Sequence, residues 1–305
     1  MTMQYRVIVA GSLDAAQKER VKKMINEVFT EVDQVYNKWN VDSEISAFNA
    51  HALPFPFIMS EKLATFIRLT DLSVKLTGGR FDPTIEPVQK LWKAALEQKK
   101  LPNQEDVDAL KKTTGWEKLW IFERALLKKT GSLKVDFGGN AKGYAVDLCV
   151  EALNENGWKD VYVEWGGEMR ASGSHPAGRP WRVFISNLGN PDPGQAIAMV
   201  DLENQALATS GDYHQFWEIA ENEVYTHIFD PKTFKPLKMS PSSISSASVL
   251  APTCQLADTL ATSAMLFETA EDAKLWAENL TRKLPGVAFW IVTTNKETLY
   301  IHERP

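Results

Sequence analysis

The chain has 305 residues, 44% hydrophobic and 24% charged, with a net charge of −5 at pH 7. Those proportions are a soluble globular protein's, and the length suits one large domain or two ordinary ones. The acidic balance without a basic block argues against nucleic acid as a partner. No apolar run reaches membrane-span length, and the two cysteines, Cys149 and Cys254, form no CxxC pair, so neither a zinc site nor a disulfide framework is indicated.

In chain order, residues 5–10 alternate like a strand. Residues 15–36 place Val21, Met24, Ile25, Val28, Phe29, Val32, Val35 and Tyr36 on one stripe, an amphipathic helix. In NKWNVDSEISAFN (37–49), Ser43 opens a tight turn and a short helical piece. Trp39 stands beside it in a polar loop, placed either to cover a flat ring or to plug the surface. Residues 61–77 read as a helix ended by Gly78 and Gly79. The loop RFDPTIEP (80–87) is stiffened by proline, and Pro83 drives Asp82 out of the helical region. Helices are expected over 91–98 and 104–113, and paired strands over 119–122 and 126–129.

Residues 133–137 read as a strand broken by Gly138 and Gly139. A helix then starts, with Ala141, Ala145, Leu148 and Cys149 on one face. A strand, a glycine pair and a helix start bring backbone groups close to a phosphate or its metal. Lys142 lies in the first turn, within reach of an anion, and Asp136 is placed to accept from a base or ribose. Taken alone this is a weak signal, because glycine pairs between elements are more often packing devices. Residues 161–165 repeat the theme, a strand running into Gly166 and Gly167.

Strands are expected over 181–186, 197–202 and 206–210. The run ATSGDY (208–213) suits close contact with a polar ligand or an ordinary turn. Residues 216–219 and 224–229 should pair around Glu221 and Asn222, with His227 near the end. A lone strand histidine is more often structural than catalytic. After a strand over 243–250, residues 252–267 become a helix in which Asp258 and Thr262, four apart, share a face among Leu256, Ala257, Leu260, Ala261, Ala264 and Met265. A carboxylate there needs a partner, either a hard cation or a protein donor. A helix over 270–284 and strands over 287–292 and 298–301 follow. Helices and strands mix without a regular βαβ alternation, which favours an α+β fold.

The pieces MTMQY, WNVDSEISAFN, GGRFDPT, VDFGGNAKGYAVD, VEWGGEMRASG, ATSGDY, THIFDPKT and SVLAPTCQLADTLATSAM, in this order across nearly the whole chain, resemble the FAD:protein FMN transferases, the ApbE family. The resemblance implies mixed, largely antiparallel sheets with packed helices, an ApbE-like, T-fold-related architecture. It implies one flavin transferase domain over residues 1–305, or two closely packed subdomains. The implied reaction moves FMN from FAD to a Thr or Ser hydroxyl of an acceptor flavoprotein subunit, releasing AMP, with Mg²⁺. The cation would be held by the main-chain carbonyl of Gly139 with Asp258 and Thr262. Flavin-binding positions would fall on Met1, Trp39, Arg80, Phe81, Asp82, Asp136, Lys142, His227 and Ile228. His227 would help the transfer as proton acceptor, while Asp258 would act mainly as a metal ligand. A periplasmic or cell-envelope location follows from the same resemblance, with the cytoplasm as the alternative; no signal peptide or lipid anchor is visible in these residues.

Three positions depart from the family's pattern: Phe234 stands where glycine is usual, Lys232 where arginine is frequent, and Met1 is the first residue. Two rival functions remain, the first of which needs the same residues. An FAD pyrophosphatase would put water in place of the acceptor, giving FMN and AMP. A non-catalytic flavin-binding protein would not require a phosphate-directed cation.

Overall fold

A computed structural model describes residues 4–190, 192–212, 216–221, 223–240 and 242–302. Its elements are, in order, β1 (Tyr5–Val9), α1 (Ala15–Val35), α2 (Glu44–Ala50), β2 (Phe57–Ile58), α3 (Glu61–Leu76), α4 (Glu86–Leu96) and α5 (Gln104–Thr113). Then come β3 (Leu119–Phe122), β4 (Ala125–Lys128), α6 (Ala141–Glu155), β5 (Val161–Trp165), β6 (Glu168–Ser172), β7 (Trp181–Ile185), β8 (Ala198–Leu202) and β9 (Ala206–Gly211). The last are β10 (Phe216–Ala220), β11 (Glu223–Asp230), β12 (Lys235–Lys238), β13 (Ile244–Ala251), α7 (Cys254–Ala264), α8 (Ala270–Thr281), β14 (Ala288–Thr293) and β15 (Thr298–His302). They divide into two units. The first comprises Met1–Thr30, Asn140–Tyr213 and Pro241–Pro305, the second Glu31–Gly139 and His214–Ser240.

The first unit is built on a sheet of order β1-β5-β6-β9-β13-β14-β15. Every neighbouring pair in it is antiparallel. Its strand β5 is covered on both faces. Val161 and Val163 of β5 pack with Val21 and Ile25 of α1 and with Val146, Cys149, Val150 and Leu153 of α6. Tyr162, between them, faces a second cluster with Trp181, Val183, Val200 and Trp290. The glycine pair at 166–167 is a two-residue hairpin turn: Trp165 pairs with Glu168, and φ is +64° and +101° at the two glycines, a conformation glycine adopts without steric cost. That pair is therefore a turn, and it starts Glu168 on β6.

The second unit holds a β2-β4-β3 sheet and a β10-β11-β12 sheet with α2 to α5. Val88, Trp92 and Leu96 of α4 pack with Val107 of α5 and Phe229 of β11. Helix α4 starts five residues before the expected 91, because proline in a helix's first turn loses only an N–H that had no partner. Residues 133–137 do not form the expected strand. Leu133, Val135 and Phe137 are buried as their alternation implies. Their backbone partners, however, are the Asn49 side chain, which exchanges two bonds with Val135 (2.8 and 2.9 Å), and the Pro83 carbonyl, which accepts from the Asp136 N–H (2.7 Å). Two-fold alternation reports burial, not a ladder. Strand β12 was not anticipated. Phe234, just before it, holds φ +60°, in the left-handed region that favours glycine. Its N–H donates to the Asp230 carbonyl (2.8 Å), and its carbonyl accepts from Trp92 Nε1 (2.8 Å).

Candidate functional site

In the first unit, the start of α6 meets α7. Asp258 is 3% exposed, and its Oδ2 accepts the Gly143 N–H at 3.1 Å. The neighbouring Lys142 places Nζ 2.6 Å from Glu168 Oε1. Consecutive residues of α6 therefore engage two carboxylates. A side chain at Gly143 has no room: its Cβ would lie 2.3 Å from the Cys254 carbonyl oxygen and 2.9 Å from Asp258 Cβ. One turn along α7 from Asp258, the Thr262 hydroxyl is 3.2 Å from the Ser210 hydroxyl at the end of β9.

The electrostatics of this corner are set by burial. Asp258 is raised above the ordinary carboxylate range by desolvation, against which Lys142 and the Gly143 N–H act. Glu168 is pushed up to about 8 by desolvation and by Asp258, with Lys142 opposing. Burial depresses Lys142, but Glu168 and Asp258 outweigh it and its net shift is upward. Two buried carboxylates share one ammonium, and Glu168 Oε2 is buried without a hydrogen-bond partner. Among the described residues no group of three or more His, Cys, Asp or Glu is arranged to hold a metal. The donors present, one carboxylate and a hydroxyl one turn away, suit a hard cation that keeps water and phosphate in its other positions, not zinc.

This burial has a measurable consequence. A carboxyl whose folded pKa is about 8, above its ordinary 4.5, contributes stability that is complete below the ordinary value and lost as pH rises through about 8. Between about pH 5 and about pH 8.5 without added metal, wild type is expected to lose at least about 1 kcal/mol more than Glu168→Gln. Urea unfolding at the two pH values measures this, and equal losses would contradict the buried charge.

In the second unit, Lys38 Nζ lies 2.6 Å from Asp136 Oδ2 and 4.9 Å from the centre of the Trp39 ring. Trp39 is 82% exposed, so its indole face is accessible and plugs no core. The Asp136 N–H bond to the Pro83 carbonyl joins this group to the 80–84 loop. In that loop Asp82 accepts from Thr84 N (2.8 Å), Thr84 Oγ1 (2.6 Å) and Trp116 N (3.1 Å), so its carboxylate orders the chain's own backbone. Burial, opposed by those bonds, raises its pKa. Phe81 is buried and Arg80 half-buried. The Gly138 N–H, expected to face a phosphate, donates to Asp136 Oδ1 at 2.9 Å; a short Asp-x-Gly turn brings donor and acceptor together first. Gly139 follows in the same turn. His227 and Ile228 are consecutive on β11, within the stretch between Tyr225 and Phe229 where its pairing with β12 shifts register, and the Ile228 N–H donates to Thr226 Oγ1 (3.2 Å). Met1 lies outside the described residues.

Glu168, Lys38 and Ser210 were not singled out from the sequence. Each stands beside a motif residue: Glu168 after a glycine pair, Lys38 before Trp39, and Ser210 inside the small-hydroxyl run.

The profile of the ApbE family matches residues 1–287. A protein named FAD:protein FMN transferase from Chlamydia pneumoniae is 39% identical over 280 residues, covering 91% of this chain and 86% of that protein. One of the same name from Vibrio cholerae is 32% identical over 253 residues, 82% of this chain and 74% of the other. Among solved structures, the flavin transferase ApbE from Vibrio cholerae superposes with a TM-score of 0.80 at 29% identity, covering 98% and 94% of the two chains. The apo flavinyl transferase ApbE from Pseudomonas stutzeri gives 0.83 at 28% identity, covering 97% and 90%. The α+β class with mostly antiparallel sheets is theirs as well.

Proposed function

The chain belongs to the ApbE family, and from that premise we propose that it is a Mg²⁺-dependent FAD:protein FMN transferase acting on a Ser or Thr hydroxyl of a protein acceptor. The observation that carries the cation-dependent part is the Asp258 corner: a buried carboxylate and a hydroxyl one turn apart, with the buried Glu168 carboxyl and Lys142 beside them.

In the proposed reaction the acceptor hydroxyl oxygen attacks the phosphorus of the FMN half of FAD. A new P–O bond forms, the P–O bond to the AMP half breaks, and AMP leaves with the bridging oxygen. The hydroxyl proton passes to a base, for which we propose His227. Mg²⁺ held by Asp258 and Thr262 would neutralise the pyrophosphate charge on which the leaving group depends. Gly139 enters as a third ligand through the family resemblance, as do Met1, Arg80, Phe81, Asp82 and Ile228 as flavin positions. Lys142 would share its charge between Glu168 and a phosphate oxygen. The exposed Trp39 ring, with Lys38 and Asp136 beside it, offers a stacking face and polar partners for the flavin or adenine. A periplasmic or cell-envelope location belongs to the same proposal.

The pyrophosphatase reading differs only in the nucleophile. Incubation with FAD and Mg²⁺, with and without an acceptor protein, separates the readings by products: flavin on the acceptor together with AMP for transfer, free FMN with AMP for hydrolysis, and intact FAD for binding alone.

A further inference from the structure

Asp147 lies on α6 one turn after Gly143, in the AKGYAVD stretch. It is 4% exposed. Its Oδ1 accepts the Cys254 N–H at 2.8 Å and its Oδ2 the Gln255 N–H at 2.8 Å. Arg170 of β6 donates to the same Oδ1 at 2.7 Å and to Glu151 at 3.0 Å. The Leu256 N–H goes to Thr253 Oγ1 at 3.4 Å, so the first three residues of α7 all have N–H acceptors, two of them on one side chain from another helix. A helix start is normally capped by the residue before it, and Thr253 already does that. Asp147 adds a second hold. With the Gly143 N–H on Asp258, α6 grips α7 at two levels one turn apart.

A carboxylate is suited to this because it offers two acceptor oxygens in one plane; an amide offers one acceptor and turns a donor toward an N–H. Stability alone does not account for it. Burial pushes Asp147 up to about 6, against Arg170 and the two N–H groups, so the ionised form present at neutral pH costs folding free energy.

We propose that Asp147 is a positioning residue for the cation ligands: by pinning the first turn of α7 it aims Asp258, one turn on, and Thr262, two turns on, and so sets the affinity for a divalent cation. This rests on the cation site proposed above. Outer residues that orient metal ligands typically change affinity ten- to a hundredfold when replaced.

The test is Mn²⁺ binding to the full chain without FAD, read from the electron paramagnetic resonance of the free ion. Asp147→Asn, shown to be folded by circular dichroism, is expected to bind Mn²⁺ about tenfold more weakly. The Mg²⁺ concentration for half-maximal turnover should rise by a similar factor, with kcat at saturating Mg²⁺ within about twofold of wild type. Arg170→Gln leaves both N–H bonds in place and should weaken Mn²⁺ about threefold. Unchanged Mn²⁺ affinity in folded Asp147→Asn overturns the inference, and so does unchanged affinity in Arg170→Gln should the first variant not fold. A wild-type chain that binds no Mn²⁺ would instead sink the cation site itself.

Discussion

Replacing Asp258 with Asn is expected to lower Mg²⁺-dependent AMP release from FAD by about a thousandfold, the several kcal/mol that a metal contributes to a phosphoryl-transfer barrier. The variant should fold. The introduced amide can still accept the Gly143 N–H through its side-chain oxygen, and the buried charge that is removed is one that desolvation disfavours. Thermal unfolding supplies the control: Mg²⁺ should raise the wild-type midpoint by mass action and leave the variant's unmoved. Full turnover in Asp258→Asn would remove Asp258 as a metal ligand.

Gly143→Ala is expected to destabilise the protein by about 3 kcal/mol, although glycine to alanine inside a helix ordinarily stabilises by about 1 kcal/mol. The sign reverses because the new Cβ would lie 2.3 Å from the Cys254 carbonyl oxygen and 2.6 Å from its carbon, both backbone atoms of a helix held by Asp147. A flexible side chain could swing aside; a pinned helix start must move whole, and Asp258 moves with it. The loss should therefore appear twice, as a lower urea midpoint and as weaker Mn²⁺ binding. A variant as stable as wild type would mean that the two helices do not meet there.

The contrast between Asp258 and Glu168 shows what was legible in the chain. Asp258 and Thr262 declare themselves by spacing, because four residues is one helical turn and the surrounding apolar positions mark the face as buried. Glu168 carries no such pattern. Its role depends on a hairpin turn that brings β6 against α6, a contact no local period encodes. Asp147 is harder still, since its partners are 107 and 108 residues away. Residues 133–137 show the opposite error. Their alternation is real and their burial follows it, but a side-chain amide stands where a strand partner was expected. At Phe234, where the family pattern suggests glycine, the backbone holds φ +60°, in the left-handed region that favours glycine, and the carbonyl is held by Trp92.

The proposed activity is tested most directly by intact-mass measurement of an acceptor protein incubated with the chain, FAD and Mg²⁺, alongside assay of released AMP. The proposal predicts an acceptor heavier by FMN less one water, linked at a Ser or Thr, with AMP in equal amount and neither product when Mg²⁺ is chelated. AMP and free FMN appearing together over an unmodified acceptor, or transfer that proceeds undiminished under chelation, would contradict it.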